Sequence, residues 1–428
     1  MKYLINIFKL IIEIYRFLKI DLLFSLIFFH LSLLIKLPKL LSNKFFKSIT
    51  MLMSEGGFGH TIHDVEITKL TLEDNFLIII LSDHKRHNWE LVNVWKDIDI
   101  IHLYKTGPFF SRETQVFMQK YCTFVLYKLH AIIKRKIIEF DNNFNEYYLK
   151  PENSLVNKLI KKVSKYNDYE YSDKYHKNSI FPYKNFYQAY YAYFFLKTKL
   201  NIEIIEFNRK LENIFIKKLK KVNPKNKKII NIYLRQKGRD NRCGSSIQEW
   251  EKVIHYLLKN DYFIFLTGDV HLNKFSREIR TKIFSFSNFK LSKNIFNISA
   301  PYFCDYYISE MGGGSWFGMI MKKPTLMVNC LFFGYFWGPN FYLLFKNLKS
   351  KKTNKIIPLA KSLRKYFSEI EIPKDIILEN NSAEQIIQGF EDLRKKNKSI
   401  LYKDLIPQVK YSWAAATNSA LVSSNKIY

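Results

Sequence analysis

The stretch that most constrains this chain runs from Cys304 to Asn329. A short stretch around Ile308 leads into a turn from Glu310 to Ser315 that holds Gly312, Gly313 and Gly314, and an apolar run ends at Asn329. The pattern predicts a buried strand, a glycine turn, a helix beginning near Ser315 and a second strand, which is one unit of an open α/β sheet. Successive glycines let backbone N–H groups approach an anion with no Cβ in the way, and the helix dipole adds to the attraction. A turn that merely joins strand to helix would also be rich in glycine, so the motif alone leaves both readings open.

The same alternation recurs along the chain. Ile229–Leu234 is a predicted strand running into Arg235, Gln236, Lys237, Gly238 and Arg239, with a helix expected over Ile247–Lys259. Strands are expected at 262–266, ending in Thr267, Gly268 and Asp269, and at 295–298; a helix is expected at 383–396, followed by a polar tail. Earlier, Ser48–Met53 reads as a strand followed by the loop Ser54, Glu55, Gly56, Gly57, Phe58, Gly59, His60, and further strands are expected at 75–82 and 98–103. Between them, residues 109–216 read as long helical segments, and the Lys-rich, Pro-broken stretch 217–228 reads as an interdomain linker.

The sequence therefore predicts an α/β protein of two Rossmann-like domains facing a cleft. The expected divisions are a helical segment at 1–45, a first α/β domain with a helical insertion at 46–216, the linker at 217–228, a second α/β domain at 229–400 and a tail at 401–428. A length of 428 residues agrees with more than one core.

The formal net charge of +30 raises the question of a nucleic-acid ligand. The lysines are scattered among Ile, Asn, Phe and Tyr, without zinc-finger spacing, an RNP-like aromatic motif or an Arg-rich arm, so anionic lipid or anionic substrate is the expected partner and nucleic acid is not. Four cysteines, with no C-x-x-C pair, suggest neither a zinc site nor a disulfide framework and fit a reducing cytoplasm.

At the start of the chain Lys2, Asn6, Lys9, Glu13 and Arg16 fall on one narrow helical stripe, and apolar residues cover the rest. The uncharged run 22–35 is shorter than the roughly 18–20 residues that span hydrocarbon. Together they predict an amphipathic, membrane-associated segment that keeps the protein on the inner face of the cell membrane, with packing onto the protein itself as the alternative.

Candidate site residues sit where strands end, because open parallel sheets bind ligands beyond their carboxyl edge. Arg235 and Arg239 offer planar, permanent donors to a diphosphate, Gly312, Gly313, Gly314 and Ser315 offer N–H groups, and Asp269 or Glu310 can accept from ribose hydroxyls, with Asn329 ending the next strand. In the first domain His60 is the candidate general base, since an imidazole titrates near neutrality, and Gly57 and Gly59 shape its loop. Each residue also has a structural reading, as an ion pair, a helix cap or a turn residue.

As an ordered set, Tyr233 to Arg242, Thr267-Gly268-Asp269, Cys304-Asp305 with the glycine-serine turn, and Lys323-Pro324 through Asn329 resemble a bacterial family of glycosyltransferases of surface polysaccharide synthesis. The resemblance covers about residues 48–400, and the loop Gly56 to His60 is similar to glycine loops of two-domain GT-B transferases. It implies a nucleotide-sugar donor on the second domain, facing Arg235, Arg239 and the turn. It also implies a polysaccharide or lipid-linked acceptor near His60 on the first, and no cofactor or metal. The sequence departs from that pattern at Ser309-Glu310-Met311, where similar proteins carry small residues, which leaves Glu310 either facing sugar or ribose or serving locally. A polysaccharide pyruvyl transferase and a non-catalytic glycan-binding protein are the rival readings.

Overall fold

In a computed structural model of the protein, residues 20–42, 48–53, 76–80, 99–102, 117–118, 121–122, 124–125, 128–129, 136–141, 209–235, 246–315, 317–318, 321–330, 341–358, 374–395, 400–401 and 421–422 are described. The chain divides into two compact units, Met1–Val92 with Asp97–Lys162, and Asn93–Lys96 with Val163–Tyr428.

The first unit holds a four-stranded sheet of β1 (Ser48–Met53), β2 (Phe76–Ile80), β3 (Asp99–His102) and β4 (Lys136–Asp141), in the order β3-β2-β1-β4 and parallel throughout. Strand order reverses between β1 and β4, the position where open sheets gather ligands. β4 corrects the expectation of continuous helix over 109–216. Its Lys-Ile-Ile-Glu-Phe-Asp sequence places two β-branched residues and a phenylalanine in six positions, too short a run for a helical stripe to show. His60, Gly57 and Gly59 follow β1 in the chain and lie outside the described residues.

The apolar run near the start is helical, as α1 (Ile20–Ser42), and it continues through Pro38. Ser25, Phe29 and Leu33, four residues apart, form its buried face. Phe29 lies edge-on to Tyr121 at 6.1 Å, and the Tyr121 hydroxyl hydrogen-bonds the His30 ring at 2.8 Å. Leu23, Phe24, Ile27, Leu31, Leu34 and Ile35 are exposed. Among the described residues no helix is long and apolar enough to cross a membrane.

The second unit is built on β5 (Ile229–Leu234), β6 (Phe263–Gly268), β7 (Tyr306–Glu310), β8 (Thr325–Cys330) and β9 (Phe341–Phe345), all parallel. β13 (Leu421–Val422) adds to β9 in parallel and β12 (Ile400–Leu401) closes that side antiparallel, giving the order β12-β13-β9-β8-β7-β5-β6. A single parallel bridge, Phe265 to Phe284, continues the sheet beyond β6. Counting it as a vestigial strand, the sequence order across the sheet becomes 3-2-1-4-5-6, the doubly wound order of dinucleotide-binding folds, with the reversal between β5 and β7. β10 (Asn347–Ser350) and β11 (Ile376–Glu379) form a separate antiparallel ribbon.

Alternation along β5 sorts the two faces. Ile230, Ile232 and Leu234 join Ile264, Leu266, Ile308, Leu326 and Val328 in one core. That core is covered by α3 (Ile247–Lys259), through Trp250, Val253, Ile254 and Leu257, and by α7 (Ala383–Lys395), through Ile386, Phe390 and Leu393. The other face carries Asn231, Tyr233 and Phe265.

Three expectations change here. Residues 217–222 are not linker but the end of α2 (Arg209–Val222), whose Leu211, Phe215, Leu219 and Val222 recur at helical spacing. Phe215 is fully buried, stacked on Phe303 at 4.7 Å and tilted against Phe289 at 4.8 Å, so the lysines mark the solvent side of a packed helix. Only 223–228 connects α2 to β5, pinned by the Asn223 side chain, which donates to Lys227 O and accepts from Lys227 N. Residues 295–298 are not a strand but part of α6 (Lys293–Phe303), begun by Ser292, whose Oγ accepts from Ile295 N at 3.2 Å. Their Ile-Phe-Asn-Ile alternation imitates a strand, and the cap with Phe296 and Ala300 four residues apart and buried decides for helix. The tail expected after residue 400 supplies β12 and β13. Two short helices, α4 (Arg277–Lys282) and α5 (Phe286–Phe289), complete the described elements used below. Cys122, Cys304 and Cys330 are buried thiols outside any disulfide.

Candidate active site

At the reversal point β5 delivers Arg235 and β7 delivers Glu310, side by side. The Arg235 backbone N–H donates to Glu310 Oε2 at 2.9 Å, and the Asn329 side-chain amide approaches Oε1 at 3.5 Å. Glu310 is 1% exposed, so its carboxylate faces the main chain of β5 and the end of β8 rather than solvent. This assigns Glu310 a local role, one the sequence left open: it fastens two strand ends.

The fastening continues across the sheet. Asn329 adopts a left-handed conformation, φ 54°, at a register shift between β8 and β9. It exchanges two hydrogen bonds of 2.7 Å with Asn381: each backbone N–H donates to the other's side-chain oxygen. Asn381 also donates to Phe345 O at 2.8 Å. The carboxyl ends of β5, β7, β8 and β9 are therefore tied by one buried polar chain, which rigidifies because its members satisfy one another.

The glycine turn differs from an open anion cradle. Gly313–Ser315 is a 3-10 turn closed on itself: Ser315 N and Oγ both donate to Gly312 O, and Gly312 N donates to Ser315 Oγ at 3.4 Å. Gly314 is held from below by two tyrosines, Tyr307, whose hydroxyl donates to Gly314 O at 2.7 Å, and Tyr233, whose ring packs against the glycine. Burial pushes the Tyr233 phenol up to about 12 and Tyr307 well above its ordinary value, so both hydroxyls stay protonated at any physiological pH. The glycines are required by close approach. A Cβ at Gly314 would lie 2.2 Å from the Tyr233 ring, and one at Gly312 would lie 2.5 Å from Arg235 Nη1.

Arg235 thus lies across Gly312, with Nη1 donating to Met311 O at 3.4 Å, and it is half-buried. Asp269 ends the neighbouring strand β6, half-exposed, with its carboxylate 3.8 Å from Lys293 Nζ. Its N–H donates to Leu234 O at 2.9 Å, which locks the end of β6 to the end of β5.

The structure therefore brings together Arg235, Glu310, Gly312, Gly313, Gly314, Ser315 and Asn329, with Asp269 one strand away. Arg239 and the first-unit residues His60, Gly57 and Gly59 lie outside the described residues. Sequence reasoning missed Tyr233, Tyr307 and Asn381. The tyrosines were visible only as strand residues, and nothing local marks Asn381, whose partner is 52 positions away. It also missed Lys346, buried just past β9 at the same edge, where a lysine directly after five apolar residues was the available signal.

Replacing Tyr307 by Phe removes one buried donor and leaves Gly314 O unsatisfied. A Tyr307→Phe protein is expected to lose about 1–3 kcal/mol in denaturant unfolding. An unchanged midpoint would show that the hydroxyl does not hold the turn.

The chain matches no protein-family model and no curated protein sequence. Among solved structures it is similar to the E. coli ADP-heptose lps heptosyltransferase II, at 7% identity and a TM-score of 0.44 over 81% of this chain and 99% of that one. It is similar also to a glycosyl transferase of family 9 from Veillonella parvula, at 11% identity and a TM-score of 0.47 over 83% and 99% of the two chains. A third is the E. coli heptosyltransferase WaaC with ADP, at 10% identity and a TM-score of 0.34 over 69% and 92%. At such scores and identities the reading of function rests on the site and not on the likeness.

Proposed function

We propose that the protein is a glycosyltransferase of GT-B type that moves a sugar from a nucleotide-sugar donor to a surface polysaccharide or lipid-linked acceptor. One observation carries the reading: a half-buried arginine stands at the reversal point of a sheet in dinucleotide-binding order, held there by a buried carboxylate and a closed glycine turn. Ligands of open sheets collect at that point, and a guanidinium matches the paired oxygens of a diphosphate. Because the turn is closed on itself through the N–H groups of Gly312 and Ser315, Arg235, with Arg239 following it in the sequence, carries the diphosphate. The turn's part is to hold Arg235. Asp269, half-exposed at the end of β6, accepts from the donor's hydroxyls.

In the reaction the acceptor hydroxyl oxygen bonds to the anomeric carbon as the bond from that carbon to the diphosphate oxygen breaks. His60 takes the acceptor's proton, and the nucleoside diphosphate leaves with the electron pair, its growing charge offset by the arginines. Binding to the inner face of the membrane, where lipid-linked acceptors lie, falls to α1, whose exposed Leu34 (65%) and Ile35 (74%) offer an apolar surface.

A nucleotide-release assay with acceptor and phosphatidylglycerol vesicles tests this reading. His60→Ala is expected to lower kcat by about 10²–10⁴-fold while donor affinity holds, and Leu34→Glu with Ile35→Glu to weaken vesicle recovery. Full turnover by His60→Ala would remove that residue from the chemistry, and undiminished recovery would remove α1 from the membrane. Phosphate release from phosphoenolpyruvate, with no nucleotide released, would replace the glycosyltransferase reading with a pyruvyl transferase.

A further inference from the structure

The second unit has a cavity at the other edge of its sheet. It has a volume of about 550 Å³, within the range of small-molecule sites, and lies beside Lys227 and Phe263, where β5 and β6 begin. A six-residue strand is about 20 Å long, so this cavity is separated from Arg235 and Glu310 by the length of the sheet.

Its wall is cationic. Lys225, Lys227, Lys259, Lys282 and His255 line it, and no carboxylate does. Lys227 pairs with Asp261 at 2.5 Å, and Glu278 takes Lys282 at 2.7 Å with His255 at 3.9 Å. These bridges offset the charges of Lys227 and Lys282, so the positive field of the wall comes mainly from the other lysines. Among the described residues Lys225 and Lys259 have no carboxylate partner. Between the ammonium groups the surface is apolar and aromatic, from Leu258, Tyr262, Phe263 and Phe284. The volume far exceeds what a bare inorganic anion fills, and the apolar floor gives an attached stem a place to rest. The last turn of α2, with Lys220 and Lys221, runs directly into this wall and widens its positive field.

We propose that this cavity binds a phosphate group carried on an organic stem, with Lys225 and Lys259 on the phosphate and Tyr262 and Phe284 against the stem. Two sources share that chemistry: the headgroup of an anionic phospholipid and a soluble phosphate monoester. The proposal does not depend on the transferase reading, since none of its residues belongs to the Arg235 edge.

The test uses the full chain with two probes, vesicles of phosphatidylglycerol in phosphatidylcholine, and sn-glycerol 3-phosphate by titration calorimetry. Lys225→Glu with Lys259→Glu is compared with Lys352→Glu and Lys355→Glu, an equal charge change on exposed lysines away from the cavity. At least one probe is expected to bind, and its affinity to fall about tenfold or more in the cavity pair and much less in the control pair. Vesicle binding that weakens in the cavity pair identifies the lipid headgroup as the source, and glycerol phosphate binding that does so identifies the soluble one. If neither probe binds, or if the cavity pair weakens binding no more than the control pair, the proposal is overturned.

Discussion

Gly268→Ala is expected to destabilise the second unit by on the order of 3 kcal/mol or more. Gly268 ends β6 with φ +97°, outside the range that L residues adopt freely. A Cβ there would sit 2.1 Å from Leu234 O, a backbone atom of β5 that cannot swing aside. That same oxygen accepts from Asp269 N, so the substitution breaks the tie between the two strands that frame the Arg235 edge. Gly389→Ala provides the contrast. Its Cβ would meet the ends of two side chains, Leu326 at 3.1 Å and Leu344 at 3.7 Å, within a helix that favours Ala over Gly by about 1 kcal/mol. Urea unfolding of the two variants measures both, and a Gly268→Ala midpoint equal to that of the parent would contradict the β5–β6 geometry.

The second large effect is on ligand rather than fold. Arg235→Ala keeps the backbone N–H that Glu310 accepts, so the strand fastening survives, while the guanidinium over Gly312 is lost. Donor kcat/KM is expected to fall about 10²–10³-fold or more, the range for removing one hydrogen-bond donor to a developing oxyanion, with little change in unfolding. Arg235→Lys restores the charge without the planar fork and is expected to recover only part of the loss. Glu310→Gln divides the roles the other way. The amide oxygen still accepts from Arg235 N, so donor use is expected to change less than in Arg235→Ala.

Much of the second sheet was legible because its signals are local. Ile229–Leu234 and Ile247–Lys259 keep their expected bounds, one from an apolar run interrupted only by Asn231 and stopped by Arg235, the other from Trp250, Val253, Ile254 and Leu257 at helical spacing. The misread elements have ambiguous or long-range causes. Residues 295–298 alternate like a strand, and what makes them helical is the Ser292 cap and aromatic packing on Phe265. β13 has two residues and exists through pairing with β9, some eighty positions earlier, which no local pattern encodes. At the site, strand ends placed Arg235, Glu310 and Asn329 together. The direction of the Glu310 carboxylate and the closure of the glycine turn depend on Asn381, Tyr233 and Tyr307, whose parts follow only from the assembled sheet.

The central claim is that the Arg235 edge holds a nucleotide-sugar. A thermal-shift series with nucleoside diphosphate sugars, run on the parent, His60→Ala and Arg235→Ala, tests it most directly. The expected result is that at least one donor raises the melting temperature of the parent and of His60→Ala in a concentration-dependent manner, and that Arg235→Ala abolishes the shift. A series in which no donor shifts the parent, or in which Arg235→Ala responds as the parent does, would contradict the account.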